Sequence, residues 1–267
     1  MIRLPAVAGR FYEAKPSLLR REIETYLVHT DHKEEAVGVI SPHAGYLYSG
    51  HVAGAVYGRI FVPDTVVILG PNHTGLGQPA AVMASGTWQM PFGPVEIEEK
   101  LAWYILENSE VLTDDYEAHL YEHSLEVQIP FLQYLNPKLK IVPLCLSLLS
   151  LDEIEEIGRA IAQGIIQYRQ PVLIVASTDM SHYVPHHIAK EKDMLAIQEI
   201  LKLDHVGLLE VVARERISMC GVVPTAATLV ATKALGAREA ELVKYATSGE
   251  ISGDFYQVVG YAGLIIR

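Results

Sequence analysis

VVILGPNHTG (66–75) decides the fold: a continuous apolar run, long enough for a buried strand, breaks at a Gly-Pro step into a polar turn that carries a histidine. VGVISPHAGY (37–46) and VLIVASTDMSHY (172–183) repeat the construction. Runs that are apolar without alternation belong to strands covered on both faces, the habit of parallel sheets in α/β proteins. In such sheets ligands collect beyond the carboxyl ends of the strands. His43, His73 and His182 are therefore expected together at one sheet edge, and imidazole is the commonest metal-binding side chain. Each alone reads as an ordinary loop histidine; their recurrence points to a site.

Outward from these runs, helical and extended patterns alternate along the chain. Residues 16–29 read as a helix with Leu18, Leu19, Ile23, Tyr26 and Leu27 on one face, and 49–60 as a small-residue helix that packs closely. TWQMPFGPVE reads as a compact loop because of its prolines and glycine. Helices are expected over 98–107, 125–135, 152–168, 187–201 and 224–235, and strands over 140–147 and 171–177. Two extended segments, 240–247 and 256–266, close the chain, the last one pairing antiparallel. The pattern predicts one α/β domain over 1–267, with a mixed, mostly parallel central sheet flanked by helices.

A length of 267 residues with 50% hydrophobic content supports a substantial core, and a formal net charge of −11 argues against nucleic acid as a partner. The opening MIRLPAVAGRFYEAKP lacks the apolar stretch of a signal peptide, and no run approaches the roughly 18 apolar residues of a membrane span, so a cytoplasmic protein without membrane contact is expected. Of two cysteines, Cys145 sits in the apolar IVPLCLSLL and reads as core. Cys220, in SMCGVVPTAATLV, lies just ahead of a helix; a helix N-terminus lowers a thiol's pKa, which would suit a nucleophile or a soft metal ligand.

Asp179 and His182 stand three apart and would meet if their segment makes a helical turn, either as ligands or with the carboxylate orienting the imidazole. In YEHSLEVQIPFL, Ser124 reads as a helix cap and Glu126 as a first-turn acid that complements the helix dipole. Glu122 and His123 have no such explanation, and a carboxylate beside an imidazole is material for proton transfer.

PAVAGRFY, SPHAGY, GPNHTG, EHSLEVQIPFL, STDMSHY and the MCG turn, in this order from Pro5 to the closing GYAGLII, together resemble the Memo family. In prokaryotes that family is component B of a three-part system with an Ammecr-type protein and a radical-SAM protein, which the resemblance implies as partners. It also implies a fold similar to the catalytic subunit of class III extradiol dioxygenases, non-haem iron enzymes. By the same resemblance His43, His73 and Cys220 are the metal ligands, and His182 and Asp179 line the pocket. The dioxygenases use a carboxylate where this chain has Cys220, and a thiolate makes copper, iron or zinc suitable. A redox or dioxygenase-like metalloprotein is the expected function, with Asp179, His182, His123 and Glu122 handling protons. A phosphotyrosine-peptide binding module and a zinc hydrolase are the alternatives, and a small molecule or peptide in the strand-end pocket is the expected ligand.

Overall fold

A computed structural model describes residues 1–28, 30 and 33–267. β1 (Ile2–Arg3) and α1 (Pro16–Tyr26) open the chain, the helix started by a first-turn proline. β2 (Gly38–Ser41) and α2 (Tyr46–Tyr57) follow, then β3 (Thr65–Pro71), β4 (Ala80–Val82) and a hairpin of β5 (Thr87–Met90) with β6 (Gly93–Ile97). α3 (Glu99–Glu107), β7 (Thr113–Asp114) and α4 (Ile129–Leu135) lead to β8 (Lys140–Leu146), α5 (Leu151–Tyr168) and β9 (Val172–Ser177). β10 (His182–Val184), α6 (His186–Leu201), α7 (His205–Arg214), α8 (Val222–Ala234), β11 (Ala240–Thr247) and β12 (Val258–Ile266) complete it.

The sheet runs β1-β5-β6-β8-β3-β9-β2-β12, and the central five, β6 to β2, are parallel to one another. β12 adds antiparallel to β2 and carries β11 and β10, so the expected mixed, mostly parallel α/β domain is the one that forms. Every residue of β2 and β3 is buried, because α1, α2 and α4 cover one face and α3, α5 and α8 the other. α2 packs close to the end of α1 because Gly54 has no side chain; a Cβ there would collide with the Tyr26 carbonyl. Cys145 is fully buried in β8, and burial pushes its thiol well up, as suits a core residue.

Three local expectations are corrected. α1 stops at Tyr26, short of the expected end at 29, and His29 lies outside the described residues. TWQMPFGPVE is a hairpin rather than a loop: Gly93 takes φ +117° and pairs with Met90, a reversal that its missing Cβ permits. α7 was not expected; the Asp204 side chain caps it, accepting from Gly207 N at 2.9 Å. Among the described residues no helix is long and apolar enough to cross a membrane.

Candidate metal centre

The strand order β3-β9-β2 places three turns side by side at the carboxyl edge, and from it follow His73 after β3, Asp179 after β9 and His43 after β2. Cys220 reaches the same place from the opposite direction, two residues ahead of α8, which packs under these strands. His123 arrives on the irregular connection before α4. Among the described residues, His43, His73 and His123 offer ligand atoms that all lie within 4.8 Å of one another, and the Cys220 Sγ is 3.3 Å from His43 Nε2.

His43 is 2% exposed. Its backbone N–H donates to Asp179 Oδ1 at 2.8 Å, and its Nδ1 lies 2.9 Å from Ser177 Oγ. Burial, with His123 and His73 alongside, holds it well below the usual histidine range, so it is neutral, the form that donates to a metal. Glu122 is the hub of the opposite side. Its buried carboxylate accepts from His73 N at 2.5 Å, His73 Nδ1 at 2.9 Å, His123 N at 2.9 Å and Ser124 N at 2.8 Å. Burial alone would raise Glu122, but the His73 hydrogen bond and charge, with Ser124 N and His123, bring it down to about 2. Burial likewise works to lower His73, and the Glu122 hydrogen bond and charge overcome it, leaving the imidazole raised.

Five sequence-based roles change here. The segment after β9 is not helical, so Asp179 does not meet His182 across a turn; it turns instead to the His43 backbone, and burial raises its carboxyl. His182, in β10 with Nδ1 2.8 Å from the Ser218 carbonyl, is not one of the three imidazoles that converge, but it lies close enough for its charge to act on His43 and Asp179. The Cys220 thiol is pushed up to about 12 by burial and by Asp179, against the lowering expected from a helix start; desolvation outweighs the dipole. Ser124 caps nothing: its hydroxyl donates to the Pro71 carbonyl at 2.9 Å. Glu126 anchors the start of the chain, accepting from Arg3 Nη1 (2.7 Å), Ala6 N (2.7 Å), Val7 N (3.0 Å) and Tyr12 OH (2.6 Å).

Arg3, Gln128 and Ser177 escape the sequence reading. Arg3 is fully buried over the Trp88 ring and donates to the carbonyls of His119 and Glu122 at 2.6 Å each, holding the loop that presents Glu122 and His123. Gln128 Nε2 donates to Ser177 Oγ at 2.8 Å. The signal available was a polar residue inside an apolar run, as in VQIPFL.

The spacing of Cys220 and His43 suits a shared ion. Metal bonds of about 2.1 Å to nitrogen and about 2.3 Å to sulfur place two such donors roughly 3.1–3.6 Å apart, and the observed Cys220 Sγ to His43 Nε2 separation of 3.3 Å lies inside that span. An imidazole lone pair lies in its ring plane. The His43 and His73 rings meet at 77° and those of His73 and His123 at 22°, and the three offer ligand atoms close enough together to hold one ion.

A strand-end histidine cluster on a mostly parallel, doubly covered sheet defines the class: an α/β protein able to hold a metal ion at its sheet edge. The chain belongs to the Memo family; the model described as Memo-like protein matches residues 3–265. It is 47% identical over 281 aligned positions to a MEMO1 family protein of Methanopyrus kandleri, covering 100% of this chain and 99% of that one. MEMO1 family proteins of Methanothermobacter thermautotrophicus (42%, covering 99% of this chain and 100% of that one) and Pyrobaculum aerophilum (42%, 99% and 98%) are similar along the whole length.

Proposed function

We propose that the protein is a non-haem redox metalloprotein that holds one iron or copper ion through His43, His73 and Cys220. The observation that carries the reading is the approach of the Cys220 Sγ to His43 Nε2 beside a His73 ring set nearly perpendicular to His43. Two imidazoles and a thiolate, each deprotonated at its donor atom when the ion binds, make a soft, three-donor set that leaves positions open for a ligand. A bound iron or copper ion would supply one-electron chemistry there. The thiol's high pKa in the metal-free protein means that ligation expels its proton, so binding weakens as pH falls. Asp179, buried 4.0 Å from His43 Nε2, holds a proton more readily than an exposed aspartate and can pass it to a ligand beside the imidazole. His123 forms the opposite wall, stacked on His73 and edge-on to the Phe11 ring with centroids 4.9 Å apart. His182 serves as proton carrier at the rim.

Protein purified without added metal or affinity tag, with its metal content measured by elemental analysis, tests the ligand set. Cys220→Ser is expected to lose soft metal with the fold intact, and His123→Ala to keep it. Loss in His123→Ala with full occupancy in Cys220→Ser would exchange their roles. Asp179→Asn with His182→Gln is expected to retain metal and lower oxygen consumption under a reductant by about 10²–10⁴-fold, the usual worth of positioned proton transfer. Equal binding of a phenolic or phosphotyrosine ligand to metal-free and metal-loaded protein, with no turnover, would instead establish a binding module. The Ammecr-type and radical-SAM proteins that the family implies are the partners to test by co-purification.

A further inference from the structure

We infer that Ser177 is a positioning residue that sets the ring tautomer of His43 and so aims its Nε2 lone pair at the metal position. The consequence rests on the metal reading above; the tautomer itself does not. Ser177 Oγ has three polar neighbours: His43 Nδ1 at 2.9 Å, Gln128 Nε2 at 2.8 Å and the Ser124 carbonyl at 2.6 Å. All four residues are buried, so no bulk water settles the arrangement. A hydroxyl has one proton to give and two lone pairs to accept with.

Gln128 is fixed first. Its Oε1 accepts from Tyr57 OH at 2.7 Å, and its Nε2 donates to the Pro42 carbonyl at 2.9 Å; turning the amide over would set oxygen against that carbonyl. Gln128 therefore donates to Ser177. The Ser124 carbonyl can only accept, and it is the nearest of the three, so it takes the Ser177 proton. One lone pair of Ser177 remains, and only an Nδ1–H of His43 can fill it. The proton of His43 is thereby held on Nδ1, and the unprotonated Nε2 presents its lone pair to the Cys220 Sγ.

The opposite tautomer would need the Ser177 proton for Nδ1, leaving the Ser124 carbonyl without that donor in a buried place and pointing N–H at the metal position. His73 obtains the same orientation from the Glu122 carboxylate. The Ser177–Gln128–Tyr57 chain does for His43 what that carboxylate does for His73, but with neutral groups, so no further charge is buried under the ring.

Metal-free protein labelled with ¹⁵N-histidine reports the tautomer by long-range ¹H–¹⁵N correlation. The expected wild-type result is a protonated, pyrrole-like Nδ1 and an unprotonated Nε2 for His43; Ser177→Ala is expected to release the ring into a mixture, and Ser177→Thr to restore the single tautomer. A wild-type His43 protonated at Nε2 overturns the inference whether or not any variant folds, and so does an unchanged Nδ1–H tautomer in Ser177→Ala. Zinc(II) titration of the same proteins tests the consequence, with affinity expected to fall about 10–100-fold in Ser177→Ala and to recover in Ser177→Thr. Unchanged zinc affinity in a ring that has lost its tautomer overturns the link to ligation. A wild-type protein that binds no zinc, iron or copper overturns the metal reading alone and leaves the tautomer result standing.

Discussion

Arg3→Met is expected to lower the stability of the whole protein by roughly 3–5 kcal/mol, the cost of leaving one member of a buried ion pair without its partner. Both Arg3 and Glu126 are fully buried, and Arg3 Nη1 lies 2.7 Å from Glu126 Oε2. Methionine fills much of the volume over Trp88 but donates nothing, so the carbonyls of His119 and Glu122 lose their donor as well. Urea unfolding reads the effect as a lowered midpoint with an unchanged slope. Adding Glu126→Gln to Arg3→Met is expected to recover part of the loss, because the stranded charge goes with it. A drop below about 1 kcal/mol would mean that the pair is replaceable by packing, as some buried pairs are. Metal affinity is expected to fall alongside stability in Arg3→Met, since the same guanidinium holds the loop of Glu122 and His123.

Acid is expected to unfold the protein well above the range set by ordinary carboxylates. His119 is completely buried, and burial together with Arg3 lowers it from 6.5 to about 3, against the opposing pull of Asp115, Glu122 and the Ala81 backbone. The unfolded chain takes that proton first, so the contribution is complete above pH 6.5 and is lost as pH falls toward 3, about 3 kcal/mol by pH 4. Glu122 works in the same direction at lower pH: held at about 2 against 4.5 ordinarily, it stabilises fully above pH 4.5 and loses its contribution as pH falls toward 2. His73, raised by Glu122, acts oppositely, stabilising below pH 6.5 and losing that contribution as pH rises through its folded value. Urea midpoints at pH 7, 5.5 and 4 should therefore fall steadily, and His119→Leu should flatten the fall. An identical pH slope in His119→Leu would remove His119 as its cause.

The dependence on Arg3 and His119 shows where sequence reading ran short. In the sequence His119 is one more histidine close to His123, and nothing local says that Arg3, 116 positions earlier, will donate to its carbonyl. Glu126 could be read as a helix acid because its spacing allows it. Its actual partners lie between residues 3 and 12, across more than a hundred positions of chain.

What the sequence by itself determined was whatever depends on neighbours in the chain: unbroken apolar runs that must be doubly covered strands, the turns that end them, and hence the sheet edge where His43 and His73 stand. Strand burial and strand ends are local properties, and the parallel α/β arrangement follows from them. Tertiary structure alone decided which side chains close the centre. His123, rather than His182, converges with the other two imidazoles, because the connection before α4 folds over β2 and β3 while His182 pairs with β12 beside them. Tertiary structure likewise set the Cys220 thiol high and gave His43 a hydroxyl partner from β9, since desolvation and a hydrogen bond between residues 134 positions apart depend on what packs around a group and not on what precedes it.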